Sequence, residues 1–297
     1  MSEIISNCPV CGNSIFTLFL DVKDHFLTKE EFSILKCDSC GFRFVNPRPD
    51  NINIGMYYQS EEYISHDAEK SNFLNRIYRL ARIISIRGKF RIIKKFCPGG
   101  KILDIGCGTG EFLHYCRQKG FEVTGVEPNA KASTFAQSKN QVIVFGQLES
   151  LSGAGGLFNC ITMWHVLEHV PNLDELIIQV KQLLAPNGVF IVAVPNSNSW
   201  DAAYYKEYWA AYDVPRHLYH FTQCTMEKLV SMTGLEVRKI FPQKLDAYYV
   251  SMLSEKYKSG KTNYFKSIAF GFWANLQAKK RDIGHSSLIF VLSVKNV

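Results

Sequence analysis

Lys101-Ile-Leu-Asp104-Ile-Gly106-Cys107-Gly108-Thr-Gly110-Glu-Phe-Leu113 is the stretch that decides how this chain is read. The run over residues 102–105 predicts a buried strand. Gly106, Gly108 and Gly110 turn the chain tightly and let a ligand come close to the backbone. Residues 111–119 predict a helix, which Gly120 stops. Strand, glycine loop and helix in this order open a nucleotide-binding βαβ unit.

The following strand, residues 121–127, alternates in polarity and ends in Glu127. Such folds set an acid on ribose hydroxyls at about this spacing. Both a dinucleotide and S-adenosylmethionine satisfy that much. Asp104 separates the two. A carboxylate at the strand end, two residues before the first glycine, would repel a pyrophosphate, whereas it suits the ammonium group of a methionine moiety. A βα corner without ligand is the plain alternative, and the order acid, glycines, second acid argues against it.

Asp104-x-Gly106-x-Gly108-x-Gly110, Glu127 and His165-Val-Leu-Glu168-His169 together resemble the class I S-adenosylmethionine-dependent methyltransferases. The similarity runs from about residue 97 to the last residue. It implies a Rossmann-like α/β fold, mostly parallel, with the last strand antiparallel. One departure is Asn159, where many members carry Asp. It is expected to cost little.

Composition bounds the remaining classes. The 297 residues are 46% hydrophobic and 21% charged, ordinary for a soluble chain with one good core and a smaller unit. No apolar run approaches a membrane span, which takes roughly 18 residues. The first residues carry no signal-peptide pattern. Nine cysteines then indicate thiols or a metal in a reducing, cytoplasmic compartment. The net charge of +7 is local: residues 76–95 hold eight Lys or Arg and no acid.

Cys8-Pro-Val-Cys11-Gly12 and Cys37-Asp-Ser-Cys40-Gly41 are two Cys-x-x-Cys knuckles, each followed by the glycine that a tight turn requires. Four thiolates in two such pairs suit a structural, tetrahedral zinc, and the 25 residues between them accommodate a hairpin. A redox pair or bare thiols is the alternative. Four cysteines leave no open position for zinc catalysis. Residues 1–50 are thus expected to form a zinc ribbon, 51–96 a connecting helical segment and 97–297 the methyltransferase domain.

Within the connecting segment the residues 72–96 predict a helix broken near Gly88, with Ile77, Leu80, Ala81 and Ile84 as its apolar face. Its arginines read as a solvated face, or as attraction for an anionic substrate. Before it lies Tyr57-Tyr58-Gln-Ser-Glu-Glu-Tyr63. Zinc-ribbon methyltransferases carry a similar stretch, which implies that Tyr58 or Tyr63 covers the methionine end of the cofactor. Packing between ribbon and main domain explains the stretch equally well.

The resemblance implies further cofactor contacts. Gln147 and Leu148, after the third strand, would meet the adenine. Trp164 and His165, after the fourth, would line the methyl-donor pocket. Cys107 and Pro128 fall on the same surface beside the glycine loop and Glu127, although Cys107, like Cys97, Cys116, Cys160 and Cys224, also reads as a small packing residue. His165 and His169 stand four apart, a spacing that metal sites use, but no acid in a fitting helix completes that set.

Residues 195–221 carry eight aromatics between Trp200 and Phe221. The segment leaves the fifth strand's carboxyl end and is expected to overhang the site. Pro215-Arg-His217-Leu-Tyr-His-Phe-Thr222 resembles a segment of zinc-ribbon methyltransferases. It nominates His217 as general base, with Tyr212, Asp213 and Arg216 on the substrate. A surface subdomain held by its own aromatics is the alternative. Residues 242–285, too long for a plain loop, predict a helical insertion that walls the substrate site or forms a homodimer contact.

Three functions remain. The first is methyl transfer to a small molecule, such as a sugar nucleotide or saccharide precursor, a substrate supported by the resemblance alone. The second is RNA methylation, with the ribbon and basic helix on phosphates. The third is a non-catalytic cofactor-binding protein.

Overall fold

The computed structural model describes residues 2–58, 72–151, 157–281 and 284–295. Tyr63 lies outside the described residues, as do the side chains of residues 72–78, among them Arg76 and Ile77.

The N-terminal part is built on a hairpin, β2 (Phe16–Lys23) against β3 (Glu31–Cys37), with β4 (Arg43–Val45) on the other side of β3. The two-residue strands β1 (Ser2–Glu3) and β5 (Arg48–Pro49) pair separately. Each cysteine knuckle turns on its glycine: Gly12 and Gly41 have φ of 73° and 75°, a region costly for any residue with a Cβ.

Helix α1 (Asn72–Phe96) leads into the main sheet. Its strands are β6 (Lys101–Ile105), β7 (Glu122–Val126), β8 (Ile143–Phe145), β9 (Phe158–Trp164), β10 (Leu184–Pro195), β12 (Leu235–Pro242) and β13 (Ser287–Val294). Among the described residues their order is β12-β13-β10-β9-β6-β7-β8, and β13 runs antiparallel to both neighbours. This is the expected mostly parallel, Rossmann-like sheet. Helices α2 (Glu111–Gln118), α3 (Ala130–Asn140) and α4 (Leu173–Leu183) connect the parallel strands. Apolar clusters cover both sheet faces. One holds Leu103, Ile105, Met163 and Phe190; the other holds Ile102, Cys160, Ile191 and Val291. Side chains two apart on one strand share a face, which is why Ile102 and Leu103 fall in different clusters.

Asn159 supplies what the commoner Asp would. Its Oδ1 accepts from Lys101 N at 2.9 Å and tethers the start of β6, while Gly100 leaves room for it.

Three expectations change. First, α1 is unbroken through Gly88, whose helical cost of about 1 kcal/mol is offset by Ile86, Phe90 and Ile93 packing on the sheet. The apolar face expected at Leu80, Ala81 and Ile84 is exposed, Leu80 at 59%. The buried face begins a turn later. Second, the ribbon and residues 195–221 share one body. Strand β11 (Tyr219–His220) pairs with β4, placing Tyr219 opposite Phe44 and His220 opposite Arg43. Arg43 Nη1 also donates to Ser197 O at 2.8 Å.

Third, the aromatics of residues 195–221 contribute to the core. Tyr205, Trp209 and Tyr212 bury against Val22, Ile34 and Val45 of the ribbon sheet and Val250 of α7 (Asp246–Ser259). Trp209 Nε1 donates to Asp201 Oδ2 at 2.9 Å, so its one polar atom is satisfied in the core. The insertion after β12 is helical as expected, with α5 (Trp200–Tyr205) and α6 (Gln223–Met232) preceding it and α7 and α8 (Tyr264–Arg281) forming it. Among the described residues no helix is long and apolar enough to cross a membrane.

Candidate active site

The glycine loop closes at the carboxyl end of β6. Gly106 N and Cys107 N both donate to Val126 O, at 2.8 and 3.1 Å, which folds the loop over the end of β7. Gly106, Gly108 and Gly110 all have positive φ, and a Cβ on Gly106 would stand 2.4 Å from Val166 Cγ2. Glu127 spans the loop: its Oε2 accepts from Gly108 N at 2.8 Å and its Oε1 from Asn129 N at 2.9 Å. Cys107 packs its sulfur where a Cβ on Gly125 would sit. Pro128 and Gln147 are exposed, whereas Leu148 is buried in the core at 8% exposure.

Asp104 lies at the bottom of this loop, 2% exposed. The register aligns it with Gly125 and Thr162, and Thr162 Oγ1 donates to Asp104 Oδ1 at 2.5 Å. Burial pushes its carboxyl up to about 7, against the opposing pull of Thr162 and the Lys89 ammonium. Lys89 of α1 lies 4.6 Å from the Trp164 ring centroid, and burial lowers its pKa. Trp164 Nε1 is buried without a hydrogen-bond partner among the described residues, and Phe112 meets the indole edge-on at 5.5 Å.

His165 follows with φ of 59°, an αL conformation tolerated by His more readily than by most residues. Its Nε2 lies 2.9 Å from Asp246 Oδ2, and its Nδ1 lies 3.4 Å from Glu168 Oε1. Burial alone would lower this imidazole's pKa, but the two carboxylates overcome burial and raise it to about 10. Asp246 opens α7, so the helical insertion does reach the site.

A second group of side chains lies beyond His165. Leu218 N donates to Glu168 O at 2.8 Å, and this bridge brings His217 against the His165–His169 turn. One ligand-type atom from each of Glu168, His169 and His217 lies within 4.8 Å of the others. The two imidazoles meet edge-on at 4.6 Å. Tyr58 OH is 2.9 Å from His169 Nδ1, so Tyr58 borders this group. Burial, and with it the proximity of the His217 imidazole, lowers His169 to about 4.

The three residues expected on the substrate, Arg216, Asp213 and Tyr212, all have partners within the fold. Arg216 is 2% exposed. Its Nη2 donates to Asp24 Oδ1 at 2.9 Å and Asp213 Oδ1 at 2.7 Å, and its Nη1 to Tyr57 O at 3.1 Å. Those bonds hold the ribbon, the Tyr57–Tyr58 turn and the His217 segment in one arrangement, and they occupy Asp213 as well. Tyr212, also 2% exposed, packs against Trp209 and His220.

The four cysteine sulfurs of Cys8, Cys11, Cys37 and Cys40 lie within 4.8 Å of one another. Cys8 and Cys40 are 3.5 Å apart, Cys11 and Cys37 3.6 Å. Four thiolates bonded tetrahedrally at about 2.3 Å would be spaced at roughly this distance, so the donor set fits a zinc ion.

Sequence reasoning passed over Lys89, Thr162, Glu168 and Asp246. Glu168 sits inside a motif that was read for its histidines. Asp246 lies 81 positions beyond His165, and nothing local signals the contact.

The sequence matches the family model described as a methyltransferase domain over residues 74–240. It is similar to a ubiquinone biosynthesis O-methyltransferase of Psychrobacter cryohalolentis, 34% identical over 34% of this chain and 42% of that protein. It is also similar to one of Rickettsia prowazekii, 30% identical over 46% of this chain and 57% of that protein. The chain thus spans about half the length of the curated relatives it matches. Among solved structures, magnesium protoporphyrin IX methyltransferase from Synechocystis PCC 6803 with bound SAH superposes with TM-score 0.53 at 15% identity, over 83% of this chain and all of that one. The plantazolicin methyltransferase BpumL in complex with SAH gives 0.52 at 17%, over 82% of this chain and 94% of that one. With the matched segment covering more than half its residues, the glycine loop and the sheet order together, the chain belongs to the methyltransferase-domain family.

Proposed function

We propose that this protein transfers a methyl group from S-adenosylmethionine to a small-molecule acceptor. The observation that carries the reading is Asp104, a buried carboxyl at the foot of the glycine loop whose ionised form an ammonium group would stabilise. Glu127, at the rim, would accept the ribose hydroxyls in place of Gly108 N and Asn129 N. Trp164 would offer its ring to the sulfonium, an interaction that favours the cation. Bound S-adenosylmethionine supplies a methyl group activated by its sulfonium leaving group.

Positioning then accounts for much of the rate. An acceptor hydroxyl must also lose its proton. His217 Nδ1 lies 2.9 Å from Ala211 O, and donating its proton there leaves Nε2 as the acceptor. Glu168, His169, His217 and Tyr58 form the acceptor side: Glu168 and His169 join the sequence-based His217, Tyr58 moves there from the methionine end of the cofactor, and Tyr212, Asp213 and Arg216 lie behind. A sugar nucleotide or saccharide precursor is the acceptor suggested by the resemblance to zinc-ribbon enzymes; the named relatives act on other molecules. The four cysteines would hold a structural zinc that fixes the ribbon.

Isothermal titration with S-adenosylmethionine tests the reading. Binding of one equivalent supports it. Absence of uptake by a folded protein overturns it.

A further inference from the structure

Glu168 stands out among the described residues, because its side chain is fully buried and neither carboxylate oxygen accepts a hydrogen bond from any of them. A buried carboxylate left unpaired costs several kcal/mol, so folded proteins pair it or give it a cation. His165 Nδ1 stands 3.4 Å away, too long for a good hydrogen bond, and its other nitrogen already serves Asp246.

The histidines beside Glu168 are arranged as ligands are. His169 Nδ1 lies 2.9 Å from Arg216 O, and His217 Nδ1 lies 2.9 Å from Ala211 O. A carbonyl can only accept, so both of these bonds need the proton on Nδ1 and keep the Nε2 lone pair free; Tyr58 OH, 2.9 Å from the same His169 Nδ1, then donates to Arg216 O instead. Metal-binding histidines are held by this same device, a backbone carbonyl on the opposite ring nitrogen fixing tautomer and orientation. Two rings held in that way lie beside a buried carboxylate that accepts no hydrogen bond among the described residues, with one ligand-type atom of each of the three residues within 4.8 Å of the others.

We infer that Glu168, His169 and His217 form a second metal site, separate from the four cysteines, which binds a first-row divalent cation. Two imidazoles and one carboxylate suit Mn²⁺, Fe²⁺, Co²⁺ or Zn²⁺ rather than the hard all-oxygen preference of Ca²⁺. Three protein ligands leave coordination positions open, as catalytic sites require, whereas the cysteine set is closed. The earlier objection that no acid completes a histidine pair fails on the fold: the acid is Glu168, and the second histidine is His217 rather than His165. A cation here would bind an acceptor oxygen and lower its pKa, relieving His217 of the base role. That last step rests on the methyltransferase reading; the site itself does not.

Mn²⁺ is the probe, because a tetrathiolate site prefers softer ions and the ribbon can be kept loaded with zinc. The full chain is titrated with Mn²⁺, and free ion is followed by its electron paramagnetic resonance signal. One equivalent should bind to the wild type. Glu168→Gln, which keeps the side chain's size, and His217→Gln should each weaken binding by about tenfold or more. S-adenosylmethionine affinity, measured in parallel, should persist in both, showing that they are folded. If the wild type leaves all Mn²⁺ free, or if both variants bind it as tightly, the site does not exist and His217 acts only as a base. Failure of cofactor binding in the wild type would sink the methyltransferase reading instead, whatever Mn²⁺ does.

Discussion

At the residue scale, the chemistry turns on how few side chains carry unbalanced charge in the interior. Asp104 is the clearest case. Its folded pKa is raised to about 7 from an ordinary 3.8, so its protonated form is the one the empty site favours. A raised folded pKa contributes stability that is complete below about 4 and fades as pH climbs through 7. The cofactor-free protein should therefore lose stability between about pH 4 and 7, other groups being equal, and Asp104→Asn should flatten that part of a thermal-melt profile. Cofactor affinity should run the other way, tightening by up to about tenfold per pH unit below 7, since an ammonium group needs the ionised carboxylate. Titration calorimetry at pH 5.5, 6.5 and 7.5 checks the sign.

His165 belongs to the same scale. Asp246→Asn removes the partner 2.9 Å away and should lower the imidazole's pKa by one unit or more, readable by NMR titration. An unchanged pKa would mean that Glu168 alone holds the proton.

Single elements explain why some features were legible and others were not. The glycine loop could be read because each of its requirements is local: a positive φ at Gly106, a carboxyl one strand residue earlier but one, a helix start after Gly110. Gly106→Ala puts a Cβ 2.4 Å from Val166 and forces an L side chain to φ of 73°, so it should cost about 1–3 kcal/mol in denaturant melts. Gly88 makes the opposite case. Reading a break there assumed that a glycine ends a helix, yet its neighbours Ile86, Phe90 and Ile93 are anchored on the sheet and carry the helix across it. A Cβ at Gly88 meets nothing within 4 Å, so Gly88→Ala should stabilise the protein by about 0.5–1 kcal/mol. A drop in melting temperature would show that the glycine is needed for something other than helix formation.

For the molecule as a whole, the long-range pairings decide the architecture, and sequence spacing does not expose them. The knuckles were readable as a tetrathiolate set; that Phe44 would sit opposite Tyr219 was not, because a three-residue strand and a two-residue strand leave no pattern. The same pairing explains how the aromatics of residues 195–221 come to contribute to the core. Arg216 joins this body through Asp24, 192 positions away, and Glu168 meets His217 because Leu218 bridges to it. Loss of a zinc ion held by the four cysteines should therefore disturb more than the first fifty residues. Cys37→Ser should lower zinc content toward zero and increase hydrogen exchange in β11 as well as in β2–β4, by mass spectrometry of peptides. Exchange confined to the ribbon would show that the shared sheet contributes little to holding residues 195–221.

One titration bears most directly on the account: S-adenosylmethionine against the wild type and Asp104→Ala, by calorimetry at pH 7.5. The expected result is one equivalent bound by the wild type and at least about tenfold weaker binding by the variant, as removal of a buried charge partner implies. No heat from the folded wild type, or equal affinity in the two proteins, would contradict it.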